Sequence, residues 1–231
     1  MRKLGLIGGM SWVSTRTYYD YINRMVQKDS SKLTSAPLLI ESLDFAQLYA
    51  LQDKADWDRA AGVLCDSAKR LEAAGAGALI IGANSMHKVY DRVAEAISLP
   101  ILHIADCVGA KMKAKGVESA ALIGTRNVMI ESFFRQRLVA HGVDLLPPDM
   151  EVVEEVDRII YDELMMGKVT RDAERKLRTI ITQKEKDGAK AIVLACTELD
   201  QIVDIDANVL PIFDSTQIHS KAAADWILGK D

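Results

Sequence analysis

The sequence predicts an α/β protein made of two similar parallel-sheet domains, and three observations predict it. Short aliphatic runs alternate with longer amphipathic stretches, four matched blocks recur in the same order in the two halves, and 231 residues with 49% apolar and 27% charged side chains suffice for two small cores. A strand covered on both faces reads as an unbroken apolar run, so alternating such runs with helices implies crossover connections and parallel pairing.

The strand runs, in order, are Leu4 to Ile7, Leu38 to Ile40, Ala78 to Ile81, Ile101 to His103, Ala120 to Ile123, Ala191 to Leu194 and Val209 to Phe213. Each is short, β-branched or aliphatic, and bounded by Gly, Pro or polar turn residues. Between them, Trp57 to Ala73, Val108 to Lys115, Asp149 to Met166 and Arg171 to Lys186 have the length and the Ala, Leu, Lys and Glu content of helices.

The repeats place these elements in two copies. Leu4-Gly5-Leu6-Ile7-Gly8 matches Ala120-Ala121-Leu122-Ile123-Gly124 at an offset of 116, and Tyr18-Tyr19, in a helical stretch, matches Phe133-Phe134 at 115. Gly75 to Ala83 matches Gly188 to Cys196 at 113, and Leu99-Pro100-Ile101 matches Leu210-Pro211-Ile212 at 111. One match of this kind is chance in Gly- and Ala-rich strands; four in order, with a slowly drifting offset, indicate duplication. The expected domains are residues 1–101 with about 214–231, and residues 102–213. Each is expected to be Rossmann-like, of the flavodoxin-like kind, and the two to be related by a pseudo-twofold axis with a ligand cleft between them.

Composition excludes several functions. Lys+Arg 29 against Asp+Glu 33 leaves a net charge of −4, without the positive field that a phosphate backbone requires, so no nucleic-acid partner is expected. Three cysteines, Cys65, Cys107 and Cys196, without a CxxC pair argue against a disulfide framework and suit a reducing, cytoplasmic setting. The apolar run from Leu4 to Met10 is short and broken by three glycines, which does not fit a secretory signal. No apolar run approaches the ~18 residues of a membrane span.

Open parallel sheets bind ligands beyond the carboxyl ends of their strands. Equivalent ends carry Ala83-Asn84-Ser85 in the first copy and Cys196-Thr197-Glu198 in the second. Both read as strand-to-helix turns, whose free N–H groups suit a carboxylate and whose dipole favours a thiolate at Cys196. A cysteine after Ile-Val-Leu-Ala also reads as a small buried hydrophobe, as Cys65 and Cys107 do within their helical patterns.

These residues resemble the cofactor-independent aspartate/glutamate racemases over nearly the whole chain. Gly5-Leu6-Ile7-Gly8-Gly9-Met10-Ser11-Trp12 with Ser14-Thr15 and Tyr18-Tyr19 is similar to the family's opening signature, and Asn84-Ser85-Met86-His87 and Ala195-Cys196-Thr197-Glu198 are similar to its two active-site motifs. The resemblance implies two α/β domains, no pyridoxal phosphate or metal, a homodimer in many members, and two bases on opposite faces of the α-carbon of an acidic amino acid. Inverting a stereocentre requires one group to remove a proton and another to deliver one across from it, which a duplicated fold supplies. N–H groups around Asn84, Ser85 and Thr197 would hold the α-carboxylate and stabilise the developing charge.

Ala83 departs from the pattern, since the family carries Cys or Thr at the matching position. Alanine neither gives nor takes a proton, so the resemblance implies a one-base chain, whether the change is natural or introduced. It also implies ligand contacts for Met10, Gln52, Thr125, Lys168 and Glu198. Read on their own, Met10 fills a core gap, Gln52 and Lys168 are solvated loop residues, and Thr125 caps a helix. His87, His103, His141 and His219 lack metal-ligand spacing, and His87, four residues after Ala83, suits a supporting hydrogen bond better than catalysis.

Three functions are compatible with the sequence. The first is a racemase acting on aspartate or glutamate. A one-base decarboxylase or isomerase, resembling arylmalonate decarboxylases and maleate isomerases, would need only a single cysteine. A non-catalytic binding protein would bind tightly without turnover.

Overall fold

The computed structural model describes residues 1–48, 51, 54–205 and 207–230. The chain divides into two compact units, Met1–Ile104 with His219–Asp231 and Ala105–Ile218.

The first unit runs β1 (Leu4–Gly8), α1 (Trp12–Asp29), β2 (Leu38–Ser42), α2 (Lys54–Ala73), β3 (Ala78–Ile81), α3 (Tyr90–Glu95) and β4 (Ile101–Leu102). Its strands are all parallel, in the order β2-β1-β3-β4. Because side chains alternate along a strand, the apolar runs cover both faces of the sheet. Leu4, Leu6, Ala78 and Ile80 pack with Tyr18, Ile22 and Val26 of α1 and with Ala223, Ala224 and Ile227 near the chain's end. Ile7, Leu79 and Ile81 pack on the other face with Ala60, Leu64 and Ala68 of α2.

The second unit begins within α4 (Ile104–Ala114) and continues through β5 (Ser119–Gly124), α5 (Arg126–Ile130), α6 (Ser132–Ala140), β6 (Asp144–Leu145), α7 (Met150–Arg158), α8 (Arg171–Lys186), β7 (Ile192–Ala195) and β8 (Ile212–Asp214). The last helix, α9 (Ser215–Leu228), starts in the second unit and ends in the first. The strand order β6-β5-β7-β8 repeats that of the first unit strand for strand, again all parallel. Ala121, Ile123, Ile192 and Leu194 pack with Val153 and Val156 of α7 and Leu177 and Ile181 of α8. On α4 and α6, Val108, Met112, Phe134 and Leu138 are fully buried, and Arg137 reaches Asp106 at 2.6 Å to tie the two helices together.

All seven strand runs expected from the sequence form strands, with ends shifted by at most a few residues. β6 was not expected: two residues before Pro147-Pro148 are too few to carry a periodicity. The stretch Asp149 to Met166 is not one α-helix. Asp149 caps α7 through its carboxylate, and after Arg158 the chain passes into a π turn at Ile159–Glu163 and a 3₁₀ turn at Leu164–Met166, ending at Gly167 with φ +71°. The aromatic pairs match one residue out of the expected register, because Tyr18 is the buried member of the first pair and Phe134 of the second. Only one aromatic of each pair is fully buried.

Candidate active site

In the first unit, Ile7 pairs with Ile81 and the Gly82 N–H donates to the Ile7 carbonyl at 2.9 Å, so the carboxyl ends of β1 and β3 lie side by side. Gly8-Gly9-Met10 and Ala83-Asn84-Ser85 therefore leave one edge of the sheet together. Gly9 turns at φ +84°, and a Cβ there would strike the Leu43 backbone, so this turn requires glycine. The Gly9 N–H donates to Thr15 Oγ1 at 2.7 Å, and the Thr15 hydroxyl donates to the Ser11 carbonyl at 3.0 Å, fixing the loop onto the start of α1. Met10 is buried in the α2-side core.

Ala83 is 7% exposed, its methyl packed in that same core. A 3₁₀ turn over Ser85–Val89 follows in place of the expected α-helix start. Asn84 is buried, and its Oδ1 has no hydrogen-bond partner among the described residues, while Ser85 is half-buried. An orphaned buried carbonyl oxygen costs desolvation energy, about 1–3 kcal/mol, and marks a place where a donor would be welcome.

Behind this turn lies a group of buried rings that no motif along the chain announces. His87 Nε2 accepts the Ile104 N–H at 3.3 Å, so Nδ1 carries the proton and donates to the Ala83 carbonyl at 3.0 Å. With both nitrogens engaged by backbone, His87 braces the Ala83 turn. His103 packs edge-on to His87, with ring centroids 4.4 Å apart, and His219 lies 5.8 Å away. His219 Nε2 donates to the Leu102 carbonyl at 2.9 Å, and the Tyr18 hydroxyl meets Nδ1 at 2.8 Å. Burial lowers the His219 pKa from 6.5 to about 4, because a charged imidazole would lose its hydration there.

This shift has a sign for stability. The folded state holds His219 neutral where the unfolded chain protonates it, so stability is complete above pH 6.5 and is lost as pH falls from 6.5 toward about 4. The expected contribution is about 3 kcal/mol. Urea unfolding at a series of pH values measures it, and His219→Asn should flatten the slope in that window. An unchanged slope would place the acid sensitivity elsewhere.

In the second unit, Gly124 pairs with Ala195, which sets Thr125 beside Cys196 at the carboxyl edge of the sheet. A Cβ on Gly124 would press on the Ala195 carbonyl, so glycine permits this approach. Thr125 occupies the cap position of α5 but makes no capping bond, and its Oγ1 is buried without a partner among the described residues. The first N–H of α5, that of Arg126, donates instead to Asp157 of α7 at 2.7 Å.

Cys196 is extended, and its Sγ donates to Glu198 Oε2 at 3.1 Å. Glu198 and Thr197 are buried in a 3₁₀ turn, Thr197–Gln201. The surroundings of Cys196 oppose the thiolate that the turn alone would favour. Burial pushes the Cys196 thiol well above the ordinary range, and the carboxylates of Glu198 and, more weakly, Asp157 push it further. A five-residue 3₁₀ turn offers too small a dipole to offset these effects.

Lys168 is exposed. It follows Gly167, its N–H donating to the Glu163 carbonyl at 2.9 Å, just after the Leu164–Met166 turn that packs against Thr197–Gln201. Gln52 lies outside the described residues. Each unit thus gathers its own residues: Met10, Ala83, Asn84 and Ser85 in the first, Thr125, Cys196, Thr197 and Glu198 in the second. Sequence reasoning missed Asp157, which sits inside an amphipathic stretch and carries no motif. Among the described residues no group of three or more His, Cys, Asp or Glu is placed to hold a metal ion, and no helix is long and apolar enough to cross a membrane.

The Asp/Glu/hydantoin racemase family model matches residues 7–223. A Yersinia pestis protein assigned as an Asp/Glu racemase has a crystal structure that superposes with a TM-score of 0.91 at 41% identity, covering 99% of this chain and 100% of that one. An aspartate racemase homologue from Pyrococcus horikoshii OT3 superposes with a TM-score of 0.84 at 30% identity, over 99% and 100% of the two chains. The broad specificity amino-acid racemase RacX of Bacillus subtilis (strain 168) is 24% identical over 230 residues, 97% of this chain and 98% of that one.

Proposed function

The chain belongs to the Asp/Glu/hydantoin racemase family, and from that premise we propose that it removes the α-proton of aspartate or glutamate with Cys196 and, lacking a base at Ala83, returns it to the same face. The observation that carries this reading is the duplication itself. Cys196 follows β7 and Ala83 follows β3, the same strand of two copies of one sheet, so the position matched to the thiol bears a methyl group.

This reading assigns Cys196 to one side of the α-carbon and gives the other side no base, since position 83 is alanine. The orphaned Asn84 Oδ1 accepts a hydrogen bond from the α-ammonium, and the Thr125 hydroxyl donates to a carboxylate. Backbone N–H groups of Ser85 and Thr197 stabilise the enolate-like charge. Gln52 and Lys168 take the side-chain carboxylate, and Met10 closes the pocket. The chemistry is carried by the protein's own groups, without pyridoxal phosphate or metal, in a cytoplasmic homodimer.

Incubation with L- and D-aspartate and L- and D-glutamate in deuterium oxide, followed by NMR, tests this. The expected result is deuterium at the α-carbon of one enantiomer with its configuration retained. Absence of exchange in all four sinks the reading. A methyl group opposite a single cysteine also suits a one-base decarboxylase, which protonates from one face only. Carbon dioxide released from a 2-substituted malonate, without exchange of amino acids, would favour that alternative.

A further inference from the structure

The start of α5 is held from another helix. Thr125 stands at the cap position with the extended backbone of a cap, φ −65° and ψ 155°, yet its hydroxyl makes no capping bond. A cap threonine ordinarily accepts the second or third N–H of the helix it opens, and forgoing that bond weakens the helix start. Asp157, the next-to-last residue of α7 and 31 residues from Arg126 along the chain, supplies an acceptor instead: its Oδ1 takes the Arg126 N–H at 2.7 Å. The Arg126 guanidinium attracts the same carboxyl group, so Asp157 is tied to α5 by a hydrogen bond and by charge.

Both residues belong to the strand edge that carries the thiol. Gly124 pairs with Ala195, which sets Thr125 beside Cys196, and the Asp157 charge is felt at the Cys196 thiol. Thr125 is 6% exposed, and its Oγ1 has no partner among the described residues. A buried hydroxyl that forgoes a neighbouring capping bond is unfavourable on its own, and a bond to a ligand offsets this.

We propose that Asp157 is a positioning residue for the ligand carboxylate: by holding the first N–H of α5 from α7, it keeps the Thr125 hydroxyl off the helix and available to the ligand. This rests on the racemase reading, in which Thr125 donates to a carboxylate, and deepens it by naming what sets that donor. Asp157 touches no reacting atom. Its carboxyl group accepts the Arg126 N–H whether ionised or neutral, so its protonation does not enter. With Asp157 in place the helix start is fixed without a bond from its own cap residue. With that carboxyl group removed, the nearest repair is local. The Thr125 hydroxyl turns about χ1 to accept the Asn127 or Val128 N–H, and the ligand loses its donor.

A double-substitution cycle on the full chain tests this, with Asp157→Ala, Thr125→Val, the two combined, and Asp157→Asn. Calorimetry reads the dissociation constants of L- and D-aspartate and L- and D-glutamate. Thr125→Val should weaken binding by about tenfold, the scale of a hydrogen bond to a charged group. Asp157→Ala should weaken it to the same extent, and the combined variant no further. Asp157→Asn, whose amide oxygen still reaches the Arg126 N–H, should stay within about twofold of the unaltered chain. In Asp157→Ala, the Thr125 side-chain couplings measured by NMR should report a changed χ1 rotamer. Alanine suits a helix, and Asp157→Ser takes its place if that chain does not fold.

Unchanged affinity in Asp157→Ala, losses that add in the combined variant, or Asp157→Asn binding as weakly as Asp157→Ala overturns the positioning role and leaves the racemase reading intact. Thr125→Val binding as tightly as the unaltered chain overturns it too, by removing Thr125 from the ligand. If the unaltered chain binds none of the four amino acids, the racemase reading falls. The Thr125 rotamer in Asp157→Ala then decides the role of Asp157 separately, a changed rotamer supporting it and an unchanged one overturning it.

Discussion

Replacing Ala83 by Cys or Thr should turn exchange with retention into racemisation, raising the yield of the opposite enantiomer by ~10²-fold or more, the usual scale for a positioned acid or base. In the proposed reaction, position 83 of the unaltered chain would offer the planar intermediate no proton donor, and reprotonation would come only from Cys196. A thiol at position 83 supplies the missing proton. A threonine hydroxyl should supply it less well, since it is the weaker acid. The substituted side chain inherits a defined place, because His87 holds the Ala83 carbonyl at 3.0 Å and is itself held by the Ile104 N–H. Chiral chromatography of aspartate and glutamate after incubation measures the outcome. If neither variant produces the opposite enantiomer while both fold and bind ligand, the two-faced reading of the duplicated strand ends is wrong.

Cys196→Ser should remove α-proton exchange, a loss of at least ~10²-fold, with ligand affinity nearly unchanged. The serine hydroxyl is a far weaker acid than the thiol, so the conjugate base is out of reach. The groups proposed to hold the ligand are the backbone N–H groups of Ser85 and Thr197 and the Thr125 hydroxyl on the carboxylate side and Asn84 Oδ1 on the ammonium, none of which the substitution removes. Exchange by NMR and affinity by calorimetry separate the two effects. Surviving exchange would require another base. His87 is a poor candidate, since both of its ring nitrogens bond to backbone.

The fold was legible because its signals are local. Apolar runs of four or five residues identify buried parallel strands wherever they occur, and the four matched blocks gave the duplication before any contact was known. The short elements were not legible. β6 rests on two residues, and the π and 3₁₀ turns after α7 interrupt a periodic pattern that runs on through them. Of the candidate site residues, Cys196, Ala83 and Asn84 are legible as candidates because each follows a strand, and Thr125 through the resemblance.

By itself, then, the sequence determined the two parallel sheets, their repetition, and which residues stand at the strand ends, all of which depend on side-chain type and spacing along the chain. Only the tertiary structure decided the chemical state of those residues. The high thiol pKa of Cys196, its proton directed to Glu198, the neutral His219 and the orphaned oxygens of Asn84 and Thr125 depend on how much water is excluded and on which groups meet across distance in sequence. Tyr18 and His219 lie 201 residues apart yet share a hydrogen bond. Desolvation and long-range contact are properties of the packed chain, and no local pattern encodes them.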